Sequence, residues 1–141
     1  LGLTGFADPG GNNLFPTDYP AVFKVWREGQ MTVRVAFSLN GQTPGKEYDE
    51  YLSLTRMLPM SFGDEMLKFN GLGERVTLVM NNNERPSETE KDSYYQIAKW
   101  AAERGMALTM HWNRDASVDE LLSLFEALNR EVPITNLRCS F

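Results

Sequence analysis

Short apolar runs alternate along the chain with stretches whose apolar residues recur at helical spacing. Runs with strand character cover residues 3–7, 31–39, 75–80, 106–111 and 136–141. Helical spacing covers residues 46–58, 93–104 and 117–130, and a further helix is capped by Thr17 or Asp18 and closed by Gly29. Residues 63–73 show no clear period and predict at most a short helical turn.

This order of elements predicts an α/β fold. Five strand signals separated by four helical ones indicate parallel strands joined by right-handed crossovers. An open doubly wound sheet and a slice of an eight-stranded barrel share this local pattern, so periodicity does not separate them.

Composition limits the classes of protein to which the chain can belong. Its 141 residues, 42% hydrophobic and 23% charged, are typical of one globular folding unit. A net charge of −5 opposes binding to nucleic acid, and no apolar run is long enough to span a membrane. Cys139 is the only cysteine, which excludes an internal disulfide and fits a reducing, cytoplasmic compartment.

Polar residues follow several of the predicted strands. In parallel α/β folds the reactive groups gather at the carboxyl ends of strands, which places Asn12, Asn81, His111 and Asp115 among the candidates. Asparagine is also a common turn residue, so Asn12 and Asn81 can equally stabilise loops.

The single histidine has two interpretations on local evidence. His111 can be a metal ligand or proton carrier, or a hydrogen-bonded residue in a turn at the end of a strand. Asp115, four residues later, can act at a site or cap the next helix. No phosphate-binding loop, dinucleotide fingerprint or serine elbow occurs in the sequence.

Three segments resemble metal-dependent amidohydrolases. Residues 2–8, Gly-Leu-Thr-Gly-Phe-Ala-Asp, resemble the family's Gly-hydrophobic-Thr strand, and residues 31–35 resemble the Val-Arg strand that follows it. Residues 111–122 are similar, without a gap, to the His-x-x-Gly-Asp-x-Ala-hydrophobic-Asp segment of the amidohydrolases that include N-substituted formamide deformylases. The resemblance is weakest between residues 40 and 75.

The resemblance implies a partial (β/α)8 TIM-barrel with about five parallel strands and four or more helices. Residues 1–141 would be a single fragment running from about the second strand to the sixth. In the parent protein His111 would bind a divalent metal, zinc by expectation, which activates water to hydrolyse a carbon–nitrogen bond in a small amide-like substrate. Asn12, Asn81 and Asp115 would line the substrate pocket.

The resemblance also implies that the chain alone is incomplete. The family's His-x-His pair is absent, so no catalytic residue is assigned, no tightly bound metal is expected and the isolated chain should be inactive. A cut barrel has open sheet edges, which predicts self-association.

One departure from the family supports a second interpretation. Residues 76–82 take the place of a strand that often carries a metal-bridging carboxylated lysine followed by Asp-Gly, and here Thr77 and Asn81 occupy those positions. Together with the single histidine, this keeps open a non-catalytic α/β domain that binds a small ligand or a protein.

Overall fold

The structure is a computed structural model that describes residues 2–10, 17–60, 62–81 and 83–139. Within these residues four strands alternate with four helices: β1 Gly5–Asp8, α1 Tyr19–Arg27, β2 Arg34–Leu39, α2 Glu47–Thr55, β3 Leu67–Leu72, α3 Glu88–Glu103, β4 Ala107–Leu108 and α4 Asp115–Glu131. All neighbouring strands are parallel, in the order β1-β2-β3-β4, and the sheet is curled like half of a barrel. The predicted α/β class is confirmed.

An aromatic core fixes which face of the sheet the helices cover. Phe37 of β2 is fully buried, and its ring lies 4.9 Å from Tyr19 and 5.6 Å from Phe69, centroid to centroid. Val35 and Leu39 alternate with polar or small residues and are buried on the same side. This face of β2 therefore packs under the helices, while the intervening residues lie on the opposite face.

Two strand predictions are wrong. Residues 75–80 form a turn instead of a strand, and β3 lies within residues 63–73, where no strand was predicted. The last predicted strand also fails over residues 136–139, which form a turn and its exit, while residues 140 and 141 lie outside the described part. Four strands are therefore present in the described residues instead of about five.

Gly71 explains why β3 is hard to recognise. Asn70 and Gly71 are poor strand formers, and the pairing of β2 with β3 shifts register between Phe37 and Ser38. Gly71 has φ +141°, and a Cβ atom there would lie 2.2 Å from the carbonyl oxygen of Ala107. The glycine is needed because β4 approaches the backbone closely at this point.

The turn at residues 76–80 is apolar because it is part of the core. Val76 and Met80 are both fully buried. The Tyr51 hydroxyl donates to the Val76 carbonyl at 2.9 Å, and the buried Glu47 carboxylate accepts from the Leu78 amide at 3.1 Å. Both partners lie on α2, so tertiary hydrogen bonds hold the segment where a strand ladder was expected.

The α3 helix begins earlier than its apolar period predicts. Ser87 and Glu90 form a capping box, in which the Ser87 hydroxyl accepts from the Glu90 amide and the Glu90 carboxylate accepts from the Ser87 amide.

None of the described helices is both long enough and apolar enough to cross a bilayer.

Candidate functional site at the carboxyl edge of the sheet

The loops that leave the four strands meet at the carboxyl edge of the sheet. The Gly73 amide donates to the Leu39 carbonyl at 2.9 Å, and the His111 amide donates to the Glu74 carbonyl at 2.8 Å. These bonds continue the parallel ladder beyond β3 and β4. They place Glu74 and His111 side by side at this edge.

Asn40 ties three of these loops together. Its side chain is buried, its Nδ2 donates to the Gly10 carbonyl, and its Oδ1 accepts from the Arg75 amide at 3.0 Å. One amide therefore joins the loop after β1 to the loop after β3, across the end of β2. The sequence offered a signal, since Asn40 follows a strand directly, but an asparagine before glycine also suits an ordinary turn.

His111 has a polar neighbour at each ring nitrogen. Nδ1 lies 3.5 Å from a Glu74 carboxylate oxygen, and Nε2 lies 2.9 Å from the Asn113 side-chain nitrogen. Because the Asn113 amide nitrogen can only donate, a neutral ring accepts at Nε2 and carries its proton on Nδ1, facing Glu74. The side chain is 41% exposed, so solutes can reach it.

The described residues do not form a complete metal site. His111 and Glu74 supply one nitrogen and one oxygen donor, and no group of three or more His, Cys, Asp or Glu side chains is close enough to hold a metal among the described residues. Zinc sites use at least three protein ligands. This donor set therefore does not fit a resident metal without ligands from elsewhere.

Asp115 lies at the start of α4. The N-cap is Arg114, and Asp115 is the first helical residue, with an exposed side chain. The capping interpretation is therefore wrong in detail, although a carboxylate in the first turn still interacts favourably with the helix dipole. A role of Asp115 in substrate binding stays a prediction.

The two asparagine candidates have different outcomes. Asn81 was selected because residues 75–80 were expected to form a strand that ends beside it. These residues and Asn81 lie in a turn, so that reason is wrong. Its Oδ1 atom is buried without a hydrogen-bond partner among the described residues. Asn12 lies outside the described residues.

Lys68 was missed because β3 was missed. Lys68 lies in the first half of β3, where it pairs with Ala36 of β2, and is therefore distant from Glu74 and the carboxyl edge. Lys68 is exposed between the buried Leu67 and Phe69, on the face opposite to the aromatic core. The strand that was expected to carry Thr77 is absent, since residues 75–80 form a turn, whereas the match of this segment to the family stays a prediction.

Asp8 is held on the helix side of the sheet. Its carboxylate accepts hydrogen bonds from the Tyr19 hydroxyl and from the Gly10 amide. Burial raises the pKa of Tyr19 far above its ordinary value, and the bond to Asp8 raises it further. The strand-end acid therefore anchors α1 and the loop after β1.

Comparison of the chain with protein-family models, with curated proteins and with solved structures gave no match. The resemblance of residues 111–122 to amidohydrolases therefore stays a prediction.

Proposed function

We propose that the chain is the central part of a metal-dependent hydrolase that acts on the carbon–nitrogen bond of a small amide-like substrate. The observation that supports this most is the position of His111, at the carboxyl edge of a parallel, barrel-like sheet and beside Glu74. Active sites of parallel barrels lie at this edge.

One further observation supports the proposal. A histidine that donates through one ring nitrogen to a carboxylate presents the other nitrogen in a fixed tautomer, which is the arrangement of histidines that bind metals. The Glu74 carboxylate lies 3.5 Å from Nδ1 of His111, from where it would orient the ring.

Glu74, His111 and Asn40 have limited roles in this reaction. Glu74 would orient the His111 ring, His111 would supply one nitrogen ligand to a bound metal, and Asn40 holds the surrounding loops. The remaining ligands and the catalytic base belong to polypeptide outside these residues. The isolated chain should therefore show no turnover.

Turnover of amide substrates tests the proposal in the protein encoded by the whole reading frame that contains these residues. His111→Ala should lower kcat/KM by at least about a hundredfold, because ligands and their orienting partners control metal affinity and activity. Gln96→Ala, at an exposed position on α3, is the control and should leave activity unchanged. Equal activity of the unaltered protein and the His111→Ala variant would refute the ligand role.

One observation favours the second candidate, a non-catalytic ligand- or protein-binding domain. Nε2, the ring nitrogen that a metal would use, is already within hydrogen-bond distance of Asn113. The reading frame separates the two candidates. A His-x-His pair upstream and a histidine shortly downstream support the hydrolase, whereas the absence of both supports the binding domain.

A further inference from the structure

A second cavity lies between α1 and α2, away from the carboxyl edge and independent of His111. Its volume is about 430 Å³, within the range of small-molecule sites. Three elements line it: the second half of α1, the end of α2 and the segment that leads to β3. The lining side chains are apolar except one.

Three aromatic rings hold one another in place at this cavity. Phe62 lies 5.7 Å from Phe23 and 5.7 Å from Trp26, centroid to centroid, in tilted or edge-to-face arrangements. A hydrogen bond from the Trp26 indole lowers the pKa of the exposed Asp64 carboxyl, and the Met66 and Leu67 amides also bind that carboxylate. The Trp26 ring is therefore fixed before any ligand arrives.

The remaining apolar wall combines a rigid part with an adaptable one. Leu58 is buried, whereas Met57 is 80% exposed. An exposed methionine is unfavourable in water, and its flexible thioether can close over apolar or aromatic groups of different shapes. The wall can therefore adjust to an occupant while the aromatic rings stay fixed.

Arg27, the last residue of α1, is the single charged side chain among the described residues that line the cavity. Its guanidinium forms no ion pair with the acidic residues in the described part of the chain. Arg27 can therefore pair with an anionic group of a ligand that occupies the cavity. Guanidinium binds a carboxylate through two parallel hydrogen bonds.

We propose that this cavity binds an arylalkyl monocarboxylate. The aromatic ring of the ligand packs on Phe23, Trp26 and Phe62, Met57 covers it, and the carboxylate pairs with Arg27. A fatty acid would satisfy the charge, but a flat ring gains more from the edge-to-face geometry of the aromatic rings.

Calorimetric titration of the whole chain with 4-phenylbutyrate tests the proposal. The expected dissociation constant is on the order of 1 mM or lower, for a ligand of this size. Arg27→Gln should weaken binding about tenfold, and the neutral 4-phenylbutyramide should bind the unaltered chain about tenfold more weakly than the acid. Lys24→Gln, on the same helix but outside the cavity, is the matched control and should bind as the unaltered chain does.

The location is tested by the indole N–H signals in a proton–nitrogen correlation spectrum. Binding should shift the Trp26 indole signal and leave those of Trp100 and Trp112 in place. Absence of heat at millimolar ligand, equal affinity of the Arg27→Gln variant, or shifts confined to Trp100 and Trp112 would each overturn the proposal. None of these results depends on metal binding or amide turnover, so the hydrolase proposal is tested separately.

Discussion

At the scale of single residues, His111 and Asn40 differ in how firmly the protein holds them. His111 is half-exposed and has neighbours from two loops, whereas Asn40 is buried and bonded to two backbone groups. The exposed residue is available for chemistry, and the buried one keeps the loops in register. The sequence predicted the position of His111 but not the role of Asn40, because that role depends on Gly10 and Arg75, which are distant along the chain.

Replacing Asn40 by alanine should destabilise the protein substantially. The change removes the donor to the Gly10 carbonyl and the acceptor for the Arg75 amide, and leaves both groups without their bonds. The expected loss in free energy of unfolding is about 2–4 kcal/mol, measured by urea denaturation. Gln96→Ala is the control, and a loss as small as that of the control would show that the bridge contributes little.

Tyr51 should make the protein sensitive to alkaline pH. Burial raises the pKa of its phenol above the ordinary value of 10.0, and the Glu47 and Glu50 carboxylates add to this, against a backbone hydrogen bond at Gly41 that lowers it. Because the folded pKa is above the unfolded one, the stabilising contribution is complete below pH about 10 and is lost as the pH rises further.

Urea midpoints measured from neutral pH to above pH 10 test this dependence. Tyr51→Phe should be less stable at neutral pH by about 1–2 kcal/mol, because the Val76 carbonyl loses its donor, and its stability should fall less steeply in alkali. The Tyr51→Phe variant should still lose some stability in alkali, because burial also raises the pKa values of Tyr19 and Tyr94. Tyr48→Phe, an exposed position, should keep the profile of the unaltered chain, and an identical profile for Tyr51→Phe would contradict the assignment.

At the scale of elements, helices were predicted more reliably than strands. The apolar periods of α1, α2 and α4 came close to the observed helices, because one face of each helix packs, buried or partly buried, against the core. The strand period failed at β3, where Asn70 and Gly71 interrupt it, and at Val76, which is buried for a reason other than strand formation.

The close approach of β3 and β4 gives a prediction at this scale. Gly71→Ala should destabilise the chain by more than about 2 kcal/mol, because the new Cβ would meet the Ala107 carbonyl at 2.2 Å and the backbone has φ +141°. The measurement is the free energy of unfolding in urea.

Gly29→Ala separates the contact from the backbone conformation. Gly29 also has a positive φ, +66°, but a Cβ atom there meets nothing within 4 Å. Its variant should lose only about 1 kcal/mol. Equal losses at the two glycines would show that the contact with β4 has no effect.

At the scale of the whole molecule, β1 and β4 are the two edges of the four-stranded sheet in the described residues. Apolar side chains are exposed at the β1 edge, where Leu3 is 64% exposed and Phe6 47%. Unpaired strand edges with apolar neighbours favour association. The alternation of strands and helices predicted a parallel α/β sheet, whereas its curled, barrel-like form was expected only from the resemblance.

Self-association of the isolated chain follows from these edges. Sedimentation should show a dimer or a larger species at high protein concentration. Phe6→Lys should shift the distribution toward monomer, because a charge on an edge strand opposes pairing. Met57→Lys, at an exposed apolar position away from the edges, should not, and a strict monomer of the unaltered chain would contradict the prediction.

The central claim is that His111 coordinates a metal ion at the carboxyl edge of the sheet. The metal content of purified protein, produced from the whole reading frame that contains these residues, tests it most directly. The unaltered protein and the Gln96→Ala control should retain bound zinc or another divalent metal after dialysis, and the His111→Ala variant should lose most of it. An equal metal content in all three proteins, or no metal in any of them, would contradict the account.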